Sequence, residues 1–316
     1  MNRTEFKFNE NKPRILYQIK FILLITFQIP SIIISLLIFV FFWTHRTYLR
    51  SLHCQSLLFL LSVNFLLLTI NLPMPIHFYK FGYVSPATAS FCTWWTFIEY
   101  SLNLTSELLM VVISIQRHIL VFHGHTCNNC RKRFLFYYIP LSLCLIYPII
   151  LYLIVIVFYP CDGQQWNYQS NLCGYANCYL VYNKILAGFD WGVNNGLPIV
   201  IILLCNITIV LCVKKRRHLR QSNLSRRQQR RMILQLFYVS CLYLIAWLPS
   251  LIIGLGQQTI SSDFLADFQT NYALDLIYMI CLFLSWICLG LLPECTKWLK
   301  KKLTFQRRSF NIIRPT

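Results

Sequence analysis

The sequence predicts an all-α integral membrane protein, a bundle of seven transmembrane helices with the N-terminus outside and the C-terminus in the cytoplasm. Seven apolar stretches are each long enough to cross a bilayer, since a helix rising about 1.5 Å per residue needs about 20 residues to traverse roughly 30 Å of hydrocarbon. None carries the polar face at 3.6-residue spacing that a soluble helix of that length requires. The charges are sorted as well. Of 29 Lys and Arg, 22 fall on one set of connecting segments, which holds a single acid, Glu294. The opposite set holds the other seven together with Asp162, Asp263 and Asp267. An excess of Lys and Arg marks the cytoplasmic side.

The elements follow in order. Residues 1–18 form a polar outer tail with Asn2-Arg3-Thr4, the one glycosylation sequon expected on the outer side; those at Asn103, Asn206 and Asn223 fall within spans or the cytoplasm. The first span, 19–43, is expected to act as its own insertion signal. The second, third and fourth cover 53–78, 91–121 and 134–159. The fifth, 187–213, and the sixth, 232–255, flank the basic stretch Lys214–Arg231, which should prolong both as helices beyond the membrane surface. The seventh covers 272–292, and the basic tail 293–316 has room for a short amphipathic helix. The spans use up the chain, so residues 1–316 form one domain.

The third span carries the clearest constellation. Projected from Cys92 at about 100° and 1.5 Å per residue, Glu99 lies about 20° off the same face and about 10 Å deeper. Asn103 is again about 20° off, Glu107 about 60° off, and Arg117 about 20° off at about 37 Å. One helix thus displays an outer carboxylate, a mid-membrane polar pair and an inner guanidinium. Ionisable groups inside a membrane are costly and generally face a cavity or a partner. Glu99 is read as a counter-charge for a ligand in an outward-open pocket, beside the plainer reading of a hydrogen-bonded acid that packs the bundle. For Glu107 the plainer reading is preferred.

The net charge of +19 invites a nucleic-acid reading. Positive charge beside a membrane is better explained by topology and contact with anionic lipid, so nucleic acid is not expected as a partner. Of the fourteen cysteines, Cys144, Cys205, Cys212, Cys241, Cys281 and Cys288 lie within spans as small apolar fillers. Cys92, Cys161, Cys173 and Cys178 lie on the outer side, where disulfides form, and allow three pairings. His123-x-His125-x-Cys127-x-x-Cys130 has metal-ligand types but stands in a short loop without a second folded half, so neither metal nor cofactor is expected. No His-Glu-x-x-His or Gly-x-Ser-x-Gly is present and no histidine sits at mid-depth in a span, which argues against an enzyme.

Further spacings converge. Cys92 and Arg117 stand twenty-five residues apart, Pro73 lies nine after Asn64, Pro198 sits in the fifth span, Tyr243 precedes Ala246-Trp247-Leu248-Pro249, and Pro293 ends the seventh span. Over nearly its whole length the chain resembles a divergent rhodopsin-like G protein-coupled receptor, of orphan type. It departs from that family at Gln116 and His118, which flank Arg117 in place of an acid and a tyrosine. It departs again at Leu292-Pro293-Glu294-Cys295-Thr296 in place of Asn-Pro-x-x-Tyr, at Asn64 for an aspartate, at Ser35 near an asparagine position, and in a fourth span without tryptophan.

The resemblance implies a plasma-membrane receptor that binds an extracellular ligand, a small molecule or peptide, and activates a heterotrimeric G protein as the sixth span swings outward near Trp247 and Pro249. It implies a ligand pocket of Glu99, Asn103, Asp190, Trp247, Tyr278, Leu282 and Trp286, with Glu99 favouring a cationic ligand. It implies coupling and switch roles for Gln116, Arg117, His118, Tyr243, Trp247, Pro249 and Pro293. From the family spacing of twenty residues before Pro198, it implies the disulfide Cys92–Cys178, leaving Cys161–Cys173 as a loop-internal bridge. The neutral Gln116 and Gln229 replace acids that hold the arginine in relatives, so ligand-independent signalling is expected. The alternative function is a seven-helix channel or transporter; the prolines fall where the receptor family has them, and no inverted repeat is visible.

Overall fold

The computed structural model describes residues 11–47, 52–122, 137–159, 166–174, 178–216, 223–261, 264–292 and 294–302. Asn2, Cys161, Pro293 and the 123–130 cluster lie outside them. Among the described residues every regular element is helical. Seven helices are long and apolar enough to cross a membrane: Ile15–Thr44, Cys54–Phe81, Ala89–Ile119, Ile139–Val157, Lys184–Thr208, Phe237–Thr259 and Ala266–Gly290. The fifth span's helix continues to Arg216 and the sixth span's helix starts at Asn223. A short helix at 294–302 follows the seventh.

The bundle exposes apolar side chains that a soluble protein would bury, and it buries several polar ones among its apolar core. Leu143, Ile146, Ile150 and Ile154 of the fourth span point outward, while Asn64, Glu99, Glu107, Asp190 and Ser285 are buried between helices. Hydrocarbon solvates the first set and offers no partner to the second, so the polar groups must find one another. Ser31 donates to the Leu282 carbonyl at 2.7 Å, Ser35 and Ser285 share a bond of 2.7 Å, and Asn64 donates to the Cys281 carbonyl at 3.1 Å. Small hydroxyl side chains let the first and seventh spans approach closely while satisfying each other.

The third span, within the helix Ala89–Phe122, is unbroken and packs against the second, fourth and fifth. Four other spans contain a widened π turn: Leu67–Asn71, Leu153–Val157, Asp190–Gly196 and Gln269–Ala273. Pro73 and Pro198 follow two of them. A proline offers no N–H to the preceding turn, and the chain ahead of it opens to the wider i→i+5 pattern, as where the Leu72 N–H donates to the Leu67 carbonyl at 2.8 Å.

The disulfide differs from expectation. Cys92 is bonded to Cys173, with Cα atoms 5.8 Å apart, which overturns both Cys92–Cys178 and Cys161–Cys173. Cys178 begins a separate helical turn, Cys178–Tyr182, that packs against the fourth and fifth spans. The Tyr179 hydroxyl ties that turn to Asp190 at 2.9 Å. The loop therefore reaches the third span through the earlier cysteine, before it turns toward the fifth. At that point the backbone is left-handed, with φ of 52° at Leu172, 55° at Cys173 and 94° at Gly174. Such a conformation costs roughly 1–2 kcal/mol for a residue with a side chain; here Leu172 and Cys173 are almost wholly buried against the bundle. A Cβ at Gly174 would meet Asn167 at 2.9 Å, which explains the glycine.

The same end carries a second clasp. Lys20 Nζ lies 2.5 Å from Asp275 Oδ2, donates to the Asn271 carbonyl at 2.6 Å, and sits over the Tyr79 ring at 5.0 Å. The Tyr79 hydroxyl donates to the other Asp275 oxygen and accepts from Asn171 of the loop at 3.2 Å. One lysine thereby joins the first, second and seventh spans to the loop. Lys20→Met and Asp275→Asn should each lower the thermal stability of the purified protein, and a double-mutant cycle should give a coupling of about 0.5–3 kcal/mol. Strictly additive losses would show that the two residues act separately.

Candidate functional site

About two helical turns along the third span from Cys92, a cavity opens among the third to seventh spans, with about 410 Å³ of space between atoms including its mouth. Glu99, Asn103, Asp190 and Trp247, all expected from the sequence, line it. No Lys, Arg or His does.

Glu99 is held on both oxygens. Asn71, at the end of the π turn in the second span, donates to Oε2 at 2.5 Å, and Asn103, one turn along the same helix, donates to Oε1 at 2.7 Å. Asp190 opens the π turn of the fifth span and accepts three bonds. Tyr152 and Asn194 donate to Oδ1 at 3.0 and 2.7 Å, and Tyr179 donates to Oδ2. Burial and the neighbouring Asp190 charge push the Tyr179 hydroxyl well above its ordinary range, so it remains a donor at physiological pH. Tyr147 extends the network to Asn194 at 2.7 Å.

Tyr100, Leu104, Tyr152, Trp191, Asn195 and Ile277 complete the wall and were not expected. Asn195 is five residues from Asp190, which a regular helix would put on another face; the π turn brings them together, and the Asn195 amide donates to the Asp190 carbonyl at 2.8 Å. Trp191 lies flat on the sixth span, where a Cβ at Gly254 would meet its ring at 2.5 Å. Trp191 and Gly254 lie on different spans, so no local pattern in the sequence links them.

The model of the seven-transmembrane receptors of the rhodopsin family matches residues 35–289. The chain belongs to that family. No curated relative matches the chain. This rhodopsin-family receptor is a multi-pass membrane protein, and its family membership points to a receptor rather than an enzyme.

The receptor's remaining site residues fall in several places. Tyr278 and Leu282 are buried but off the cavity wall, where the seventh span presents Ile277. The Leu282 carbonyl and the Trp286 indole N–H both bond Ser31, so those two positions serve the first span, and Trp286 is 41% exposed. Tyr243 shares a short hydrogen bond with Ser106, and Pro249 lies inside the sixth helix. At the far end of the third span Arg117 is buried and His118 half-buried, while Gln116 Oε1 lies 2.8 Å from the Ser56 hydroxyl of the second span. Glu107 is wholly buried and neither carboxyl oxygen has a hydrogen-bond partner. Among the described residues no group of three metal-ligand side chains occurs.

Gly254→Ala should force the Trp191 ring out of its seat and remodel the cavity. A buried collision of this kind costs about 1–3 kcal/mol. The expected result is a lowered melting temperature together with altered Trp fluorescence, with stability recovered by Gly254→Ala combined with Trp191→Leu. A Gly254→Ala protein as stable as the wild type would show that the ring is free to move.

Proposed function

We propose that this receptor sits in the plasma membrane with its N-terminus outside, binds an extracellular cationic ligand in the cavity, and activates a heterotrimeric G protein at the Arg117 end. The observation that carries this reading is the lining: two buried carboxylates, four aromatic rings and no basic side chain around one cavity. A ligand favours one helix arrangement only through differential affinity for it. Trp247 touches the cavity, Pro249 lies two residues along the sixth helix, and Tyr243, one turn the other way, bonds Ser106 of the third span. Pressure on Trp247 is thus applied to a helix that can pivot at Pro249 and is tied to the third span at Tyr243. The Arg117 end, with the basic termini of the fifth and sixth helices, would receive the G protein.

The test is nucleotide exchange by the purified receptor in lipid nanodiscs against a panel of G proteins. Receptor-dependent exchange with at least one of them is expected. Ion conductance or solute flux by the reconstituted protein, with no exchange on any G protein, would favour the channel or transporter instead. Once a cationic agonist is in hand, Glu99→Gln should weaken it by roughly 1–3 kcal/mol, as loss of a charged hydrogen-bond partner does. The new amide would also face the amide N–H groups of Asn71 and Asn103. Unaltered affinity at normal folding would remove Glu99 from the binding role.

A further inference from the structure

We infer that the ligand of this cavity is a small dication, a compact diamine with one ammonium for each of two carboxylates. This rests on the cavity being the ligand site. Glu99 comes from the third span and Asp190 from the fifth, both line the same cavity, and neither has an ion-pair partner among the described residues. Their existing bonds come from neutral donors: the amides of Asn71 and Asn103 for Glu99, and Tyr152, Tyr179 and Asn194 for Asp190. Those donors fix the oxygens in position but bring no positive charge. An ionised carboxylate has about four acceptor sites, so both keep capacity for an ammonium.

Uncompensated charge at this depth is costly, and a single cation would neutralise one acid while leaving the other. The aromatic side chains of Tyr100, Tyr152, Trp191 and Trp247 line the same cavity, and aromatic rings attract alkylammonium groups. The two acids stand on helices that pack directly against each other, so a short alkyl chain is the natural bridge between them.

The probes are α,ω-diaminoalkanes of increasing length and the alkylmonoamines that match them, with binding to the full-length receptor in nanodiscs read by thermal shift and calorimetry. The expected result is a chain-length optimum, at which the diamine binds at least tenfold more tightly than its monoamine partner. Glu99→Gln and Asp190→Asn should each bring that ratio close to one. The length optimum is measured on the wild-type receptor and so does not depend on either variant folding. Monoamines that bind as tightly as diamines, with only Glu99→Gln mattering, would overturn the dication while leaving the cavity as a site for a single charge. Absence of binding by either series would overturn it too, and G protein exchange by the same preparation would still show whether the receptor function stands.

Discussion

Hydrocarbon offers no hydrogen-bond partner, and the whole arrangement depends on how this chain meets that constraint along one face of the third span. Glu99, Asn103, Ser106, Glu107, Ser114 and Arg117 are all buried on that helix. The surrounding helices answer two of them directly, Asn71 of the second span at Glu99 and Tyr243 of the sixth at Ser106, and Ser56 of the second bonds Gln116 beside Arg117. The helix can serve as this hub because it runs from Ala89 to Phe122 without a proline or a π turn. Its side chains keep a constant angular step, so a single face presents polar groups from one end of the bundle to the other.

That regularity also decides what could be read from the sequence. A projection at constant angle places Cys92, Glu99, Asn103 and Arg117 on one inner face, and all four are buried. The same projection misleads where the helix is not regular. Asp190 and Asn195 fall on one wall only because a π turn lies between them, and Asn71 reaches Glu99 from the end of another. Seven helices, by contrast, follow from apolar length alone, which a π turn hardly changes. The spacing from Pro198 misleads on the disulfide because it takes no account of the helical turn Cys178–Tyr182, which is held over the fifth span through Tyr179. Lys20 meets Asn271, 251 residues along the chain, and Asp275 beyond it, and no local pattern announces such contacts.

The loop between the fourth and fifth spans and the cavity share these fixings. Cys173 holds residues 166–174 to the top of the third span, and Tyr168 receives the Val84 N–H from the loop beyond the second. Tyr179 holds the next part of the loop to Asp190. The loop is therefore attached on two sides of the cavity, one by a covalent bond and the other by a hydroxyl on a carboxylate that lines the site. A ligand that approaches Asp190 acts on the second attachment and leaves the first intact. Trp191, the next residue, rests on Gly254 of the sixth span, so the same step in the fifth helix touches loop, cavity and sixth span together.

The most direct measurement is the disulfide connectivity of the mature protein, by proteolysis under non-reducing conditions and mass spectrometry of the linked peptides. A peptide containing Cys92 joined to one containing Cys173 is the expected result, since that bond sets the loop over the polar face of the third span. Cys92 found joined to Cys161 or Cys178, or recovered as a free thiol, would contradict it and would remove the fixed point from which the cavity is built.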